Sequence, residues 1–390
     1  MKVLHIIPNI AAKMGGTAYA VINILAIEKS IGTKSTVISI NSDGVDAELF
    51  ESANLVALTA SFPKRFLFSR SAGHWLEENA RNYDIAVIHT IWGGLQIKAA
   101  QILYRLNVPF MIWPHGSLDP FDLRKKHLLK NLFGPVLVRS MLNKSKAVVC
   151  TAKREAERIE MYGAKTIPTV LPLPVPLSGK TGHQDRFRRK HHLGDDNFVL
   201  LFLSLMYYKK GLCILIPALK KLVSDYPNVK LVIAGSDLNG YEKKVRGWIQ
   251  EYHLEDSVIM TGFLSGQDKC DALAGSDCFV LPSMNENFGI AVVEALNASL
   301  PVLISRNVYI WEEIIESGGG WVCDYSVESL AESIKKILED PLDLKSKKER
   351  AIYAAKQFSP ESLKPLYRNF YEAFICVTRH RGKSRYSFRN

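Results

Sequence analysis

The chain has 390 residues, an apolar fraction of 47%, a net charge of +11 and a pI near 9.2. That length exceeds one ordinary core and predicts two domains of Rossmann size, while the charge favours an anionic partner: nucleic acid, anionic lipid or a phosphorylated small molecule. The six cysteines are scattered, mostly inside apolar runs, and none forms a CxxC pair, so they read as reduced core residues of a cytoplasmic protein and no metal site is expected.

In chain order, the opening "MKVLHIIP" reads as a first β-strand and not as a signal peptide, since His5 and Pro8 interrupt a short apolar run. "STVISI", "DIAVIHT", "VPFMIWPHG" and "AVVCT" are the following strand candidates. Helical segments beginning near Gly16, Gly94, Arg124 and Lys153 alternate with most of them. Alternation of short β-branched runs with helix-length segments is the pattern of a parallel sheet covered on both faces. The proline-punctuated "TIPTVLPLPVP" (166–176) and the polar stretch 178–196 read as a linker between domains. Beyond it "FVLLFLS", "VKLVIAGS", "VIMTGF", "CFVLPS", "PVLIS" and "GWVC" repeat the alternation. The expected architecture is α/β, two doubly wound Rossmann-like domains facing across a cleft: residues 1–172, residues 173–358, and a terminal segment 359–390 whose helix packs back across the domains before a basic tail. No apolar run approaches the roughly 18 residues needed to span a bilayer.

Ligands of doubly wound sheets bind where strands end and helices begin, and four stretches with chemical potential lie there. Gly15 and Gly16 follow the first strand; they allow close backbone approach to a ligand, with a plain strand-to-helix turn as the alternative. His115 in "WPHG" can donate to a sugar hydroxyl or phosphate, or be structural. Lys209 and Lys210 precede Gly211 and a helix, an unfavourable place for cations unless an anion converges there too. Most specific is "PSMNENFGIAVVEALNAS" (282–299): Glu286 lies in the loop after a buried strand, and Glu294 lies eight residues on, a little over one turn into the next helix. The intervening N–H groups of Phe288, Gly289 and Ile290 suit phosphate or sugar oxygens.

These motifs, in this order over nearly the whole chain, resemble the retaining GT-B glycosyltransferases of family 4. The resemblance implies that Glu286 contacts the transferred sugar and Glu294 the ribose of the nucleotide. It implies that Asn287, Phe288, Gly289 and Ile290 offer backbone groups, that Lys210 neutralises the leaving diphosphate, that Gly16 lets its loop approach, and that His115 sits beside the donor sugar. It further implies a nucleotide-sugar donor, a saccharide or lipid-linked acceptor in surface polysaccharide or lipopolysaccharide synthesis, and no cofactor. The absence of a D-x-D motif agrees with metal-independent transfer.

Two positions depart from the family pattern. Leu205 stands where an arginine is usual, five residues before Lys210, which leaves room for a catalytically impaired relative unless Lys209 or Arg306 supplies the charge. Ser299 stands where glycine is common. A GT-B epimerase is the other enzymatic alternative.

The segment 120–146 interleaves Arg124, Lys125, Lys126, Lys130 and Arg139 with leucines. With "FPKRFLFSR" (62–70), it raises the prospect of peripheral association with the inner membrane face. No nucleic-acid module is present, so nucleic acid is not the expected partner.

Overall fold

β1 (Lys2–Ile6), β4 (Ile85–His89), β5 (Phe110–Trp113) and β6 (Ala147–Cys150) are buried almost throughout, as strands sandwiched between helical layers must be. They form the centre of a seven-stranded parallel sheet in a computed structural model that describes residues 1–10, 16–40, 53–61, 68–119, 123, 130, 134–176, 181–237 and 239–380. With β2 (Lys34–Ser39), β3 (Ala53–Ala57) and β7 (Pro168–Val170) the strand order is β3-β2-β1-β4-β5-β6-β7. On one face Leu4, Ile6, Ile88 and Ile112 pack with Leu76 and Leu103 of the helices Arg70–Asn79 and Gly94–Arg105. On the other, Ile7, Ile10 and Val37 meet Val21 and Leu25 of the helix Gly16–Ser30.

The chain divides into two compact units, one of Met1–Pro174 with Pro360–Asn390 and one of Val175–Ser359. The C-terminal helix Pro360–His380 thus returns to the first unit. There Tyr367 donates to the Pro172 carbonyl at 3.0 Å and packs on Trp113, while the Tyr371 hydroxyl bonds the buried Glu28.

The second unit holds β8 (Phe198–Leu203), β9 (Val229–Ala234), β10 (Val258–Gly262), β11 (Cys278–Leu281), β12 (Val302–Ser305) and β13 (Gly320–Cys323), all parallel, in the order β10-β9-β8-β11-β12-β13. Each sheet therefore reverses direction of winding beside its first strand, between β1 and β4 and between β8 and β11, which is where doubly wound sheets open a crevice.

The structure departs from the sequence reading at three places. β3 and β7 are edge strands that it lacks: β3 is only half-buried, and β7 is three residues long and opens on a proline, which an edge tolerates because one side needs no ladder bond. The polar stretch 178–196 is not merely a linker. It contains the helix Gln184–Lys190, whose Phe187 is buried and whose Arg188 bonds the carbonyls of Gly275, Gly194 and Asn197 and pairs with Asp277 at 2.8 Å. A buried arginine with its donors matched carries no polar-surface meaning, which is why composition misreads it. Gly15, residues 62–67, and residues 120–122, 124–129 and 131–133, with the helix expected near Arg124, fall outside the described residues.

Candidate functional site

At the reversal of the second sheet, the loops after β8 and β11 are tied together. The Met284 N–H donates to the Lys209 carbonyl at 2.8 Å. Gly211 lies at φ +86° directly against the Pro282 carbonyl, where a Cβ would have no room. A left-handed backbone in close contact is a position for glycine alone. It turns the chain from the short 3-10 turn Tyr208–Lys210 into the helix Leu212–Leu222, and so aims Lys210 across β11.

Lys210 and Glu286 meet there. The ammonium is hydrogen-bonded to Glu286 Oε2, with the two side chains only 15% and 17% exposed. Glu286 is held by its backbone as well: its N–H donates to the Asn307 carbonyl at 2.9 Å, and its carbonyl accepts from the Tyr309 N–H at 3.0 Å. Burial would raise its pKa, but the charges of Lys210 and Lys209, with the hydrogen bonds from Lys210 and the Asn287 backbone, outweigh it and hold the carboxyl below its ordinary value. The sequence reading assigns these two residues separate tasks; in the structure they form one ion pair.

Gly289, at φ +81° and ψ +64°, caps the helix Ile290–Asn297 with no side-chain hydrogen bond; the Val292 N–H donates to the Gly289 carbonyl at 2.8 Å, and no side-chain cap takes the N–H groups of Ile290 and Ala291 at the positive end of the dipole. Phe288 is 3% exposed and stacks edge-on against Phe358, leaving only its backbone for a ligand. Asn287 and Ile290 are half-buried. Glu294, a quarter exposed, pairs with Lys269 at 2.8 Å. Lys269 is a partner that sequence reasoning missed, because it lies on another helix, Gly266–Ala274, with no motif around it.

Leu205 is half-buried beside the same turn. Of the two cations considered as substitutes for the missing arginine, Lys209 acts on Glu286 electrostatically. Arg306 is instead engaged with Asp324 at 3.1 Å and lies 4.8 Å over the Trp311 ring. Ser299 adopts φ +57°. That explains the usual glycine as a matter of backbone conformation.

In the first unit, Gly16 is exposed at the start of its helix, and a Cβ there would meet no described residue within 4 Å. His115 follows β5 at φ +52°, with Gly116 beyond it donating to Glu155 Oε1 at 2.6 Å. Its Nε2 is bonded to His89 Nδ1 at 2.9 Å, and burial pushes its pKa down to about 4. His115 is therefore not an isolated loop histidine. His89 and, behind it, His5 went unread because each sits inside an apolar strand where nothing marks a polar connection.

Two doubly wound parallel sheets define the GT-B class. Solved structures agree on the fold: Anabaena Alr3699/HepE in complex with UDP and glucose superposes with a TM-score of 0.81 at 18% identity, over 96% of this chain and 100% of that one. WaaG, a glycosyltransferase involved in lipopolysaccharide biosynthesis, superposes with 0.72 at 17% identity over 94% and 99%.

The family model "Glycosyltransferase Family 4" matches residues 15–178, and "Glycosyl transferases group 1" matches 183–358. The chain belongs to the group 1, family 4 glycosyltransferases. Among curated relatives, the alpha-monoglucosyldiacylglycerol synthase of Streptococcus pneumoniae is 25% identical over 60% of this chain and 54% of its own length. The GDP-mannose-dependent alpha-(1-6)-phosphatidylinositol dimannoside mannosyltransferase of Mycobacterium tuberculosis is 29% identical over 50% and 49%. The chain thus spans about half the length of these relatives. No helix among the described residues is long and apolar enough to cross a membrane.

Proposed function

We propose that the protein is a retaining glycosyltransferase that moves a sugar from a nucleotide-diphosphate sugar to a saccharide or lipid-linked saccharide, without a metal ion. The observation that carries this reading is the Lys210–Glu286 pair at the sheet reversal, next to an open helix N-terminus and with Glu294 one turn further on. A cation, a helix dipole and a second lysine, Lys209, on one side of a carboxylate suit a diphosphate joined to a sugar. Lys210 exchanges its bond to Glu286 for one to the leaving diphosphate, and Glu286 then accepts from sugar hydroxyls. Lys209 supplies the charge that Leu205 does not, and it acts on charge that grows in the transition state. Glu294 holds the ribose hydroxyls, with Lys269 fixing its orientation. Within the first unit taken by itself, Gly16 suits close backbone approach to a ligand and His115 suits a sugar hydroxyl.

The relatives' names favour a lipid-linked acceptor, since a glucosyldiacylglycerol and a phosphatidylinositol dimannoside stand among them. We take the role to be surface glycolipid, polysaccharide or lipopolysaccharide synthesis at the inner membrane face. Incubation with nucleotide sugars and a panel of glycosylated lipids, with NMR of the product, tests this directly. A new glycoside with the donor's anomeric configuration, formed with EDTA present, supports the reading. An inverted product, or epimerised donor without transfer, refutes it.

A further inference from the structure

A line of buried side chains runs through the first sheet and ends at His115. Glu28 Oε2 is 2.9 Å from His5 Nε2; His5 Nδ1 is 2.9 Å from His89 Nε2; His89 Nδ1 is 2.9 Å from His115 Nε2. Glu28, His5 and His89 are fully buried. The rings are stacked with centroids 5.2 Å apart at both steps. The nitrogens are spent on one another, and among the described residues no three His, Cys, Asp or Glu are arranged to hold a metal ion. The outer nitrogen of His115, Nδ1, makes no hydrogen bond to a described residue.

We propose that Glu28, His5 and His89 form a proton relay that sets whether the outer nitrogen of His115 accepts or donates a hydrogen bond.

The polarity follows from donor counting. Glu28 receives the Ser35 hydroxyl at 2.6 Å and the Tyr371 hydroxyl, and His5 Nε2 lies 2.9 Å from its Oε2; a carboxylate there only accepts. His5 therefore carries hydrogen on Nε2. With His5 neutral, its Nδ1 lone pair takes Nε2–H of His89, whose Nδ1 takes Nε2–H of His115, and Nδ1 of His115 faces outward as an acceptor. A proton arriving there forms a new Nδ1–H bond. The Nε2 proton of His115 passes to His89 Nδ1, and the Nε2 proton of His89 passes to His5 Nδ1. The one added proton ends as charge on His5, against the Glu28 carboxylate, and His115 has become a donor while staying neutral.

The surroundings favour that resting place for the charge. Burial first, and then the charges of His115 and His5, hold the His89 pKa well below the usual imidazole value, and burial does the same for His115. Burial and Glu28 push the Tyr371 and Tyr367 hydroxyls up, so both keep their protons. Among the described residues, the titratable groups beside the line are Glu28 of the 16–30 helix, these two tyrosines of the C-terminal helix, Glu155 of the helix Lys153–Met161, which bonds Gly116, and the buried Asp119, whose N–H donates to the Gly116 carbonyl.

The consequence for transfer rests on the reading of His115 as a sugar-site residue. In the unprotonated state His115 accepts from a hydroxyl and repels phosphate oxygen; in the protonated state it donates to either. Glu28, His5 and His89 are positioning residues, acting through His115.

The test is nitrogen NMR of the ligand-free full chain labelled with 15N-histidine, followed over the pH range in which it stays folded. The relay predicts that the three rings change together at one midpoint, His115 moving its proton from Nε2 to Nδ1 and never holding both. It also predicts that Glu28→Gln lowers that midpoint by about one pH unit or more, as loss of an adjacent opposite charge does. His89→Phe keeps the ring stack and breaks the line, so it should uncouple His115 from His5 even if Glu28→Gln does not fold. A doubly protonated His115 with its own midpoint, no change in any ring, or a His115 still coupled to His5 in His89→Phe would overturn the proposal, as would an unmoved midpoint in a folded Glu28→Gln. Turnover of His115→Ala is a separate matter: if it is normal, the sugar-site role fails while a coupled switch still stands.

Discussion

Glu286 is a carboxylate placed between opposing influences, burial on one side and two lysines on the other, and the lysines win. Its lowered pKa has a signed consequence. A depressed folded pKa contributes stability that is present above the ordinary carboxylate range and is lost as the pH falls through the folded value. The melting-temperature gap between the wild type and Glu286→Gln should therefore be widest near neutrality and close in acid; a gap independent of pH would contradict the ion pair.

The two lysines also separate by role. Lys210→Ala should lower kcat by about 10² to 10³, the range seen when a transition-state electrostatic contact is removed, and Lys209→Ala by less, about tenfold, since it acts without a direct bond to Glu286. Arg306→Ala, whose guanidinium is already engaged with Asp324 and Trp311, should leave kcat within about twofold. Unchanged turnover in Lys209→Ala would leave the lost arginine at Leu205 uncompensated. Ser299, strained at φ +57°, yields a stability prediction: Ser299→Gly should raise unfolding free energy by about 0.5–1 kcal/mol, the left-handed cost less glycine's greater unfolded-state entropy. Denaturant titration measures it.

Among elements, the loops after β8 and β11 function as one piece because Gly211 lies against the Pro282 carbonyl and Met284 bonds the Lys209 carbonyl. Gly211→Ala should cost about 1–2 kcal/mol for the left-handed residue alone, and more for the collision. Because the displaced loop carries Lys210, it should also weaken donor binding, seen as a raised KM for the nucleotide sugar. A folded variant with unaltered KM would show that the tie is incidental.

At this scale the sequence was legible wherever an apolar run was long and buried on both sides, as in β1, β4, β8 and β9. It was opaque where burial was partial or polar. The exposed edge of β3, the proline at the start of β7 and the matched guanidinium of Arg188 all carry compositions that belong elsewhere to loops. The Glu286 to Glu294 spacing was readable because β11, the loop after it and the helix Ile290–Asn297 follow one another in sequence. The Glu294–Lys269 and His5–His89–His115 contacts were not, since they join residues 25, 84 and 26 positions apart in unmarked surroundings.

Over the whole molecule, one winding order occurs twice, and each sheet carries its candidate residues at or near the reversal beside its first strand: Gly16 and the histidine line in one, Lys210 and Glu286 in the other. The C-terminal helix belongs to the first of these units, where Tyr371 and Tyr367 close over Glu28 and Trp113. The account holds that the second unit is a nucleotide-sugar site built on Glu286, Lys210 and Glu294. Thermal unfolding of the full chain with UDP-, GDP- and ADP-sugars, for the wild type and Glu294→Ala, tests that claim most directly, because a ligand of the native state stabilises by mass action. At about one hundred times Kd the gain is roughly 2.7 kcal/mol, a rise of about 5 °C or more for a unit of this size. The account predicts such a rise for one nucleotide class in the wild type and its loss in Glu294→Ala. No rise with any donor, or an equal rise in the variant, would contradict it.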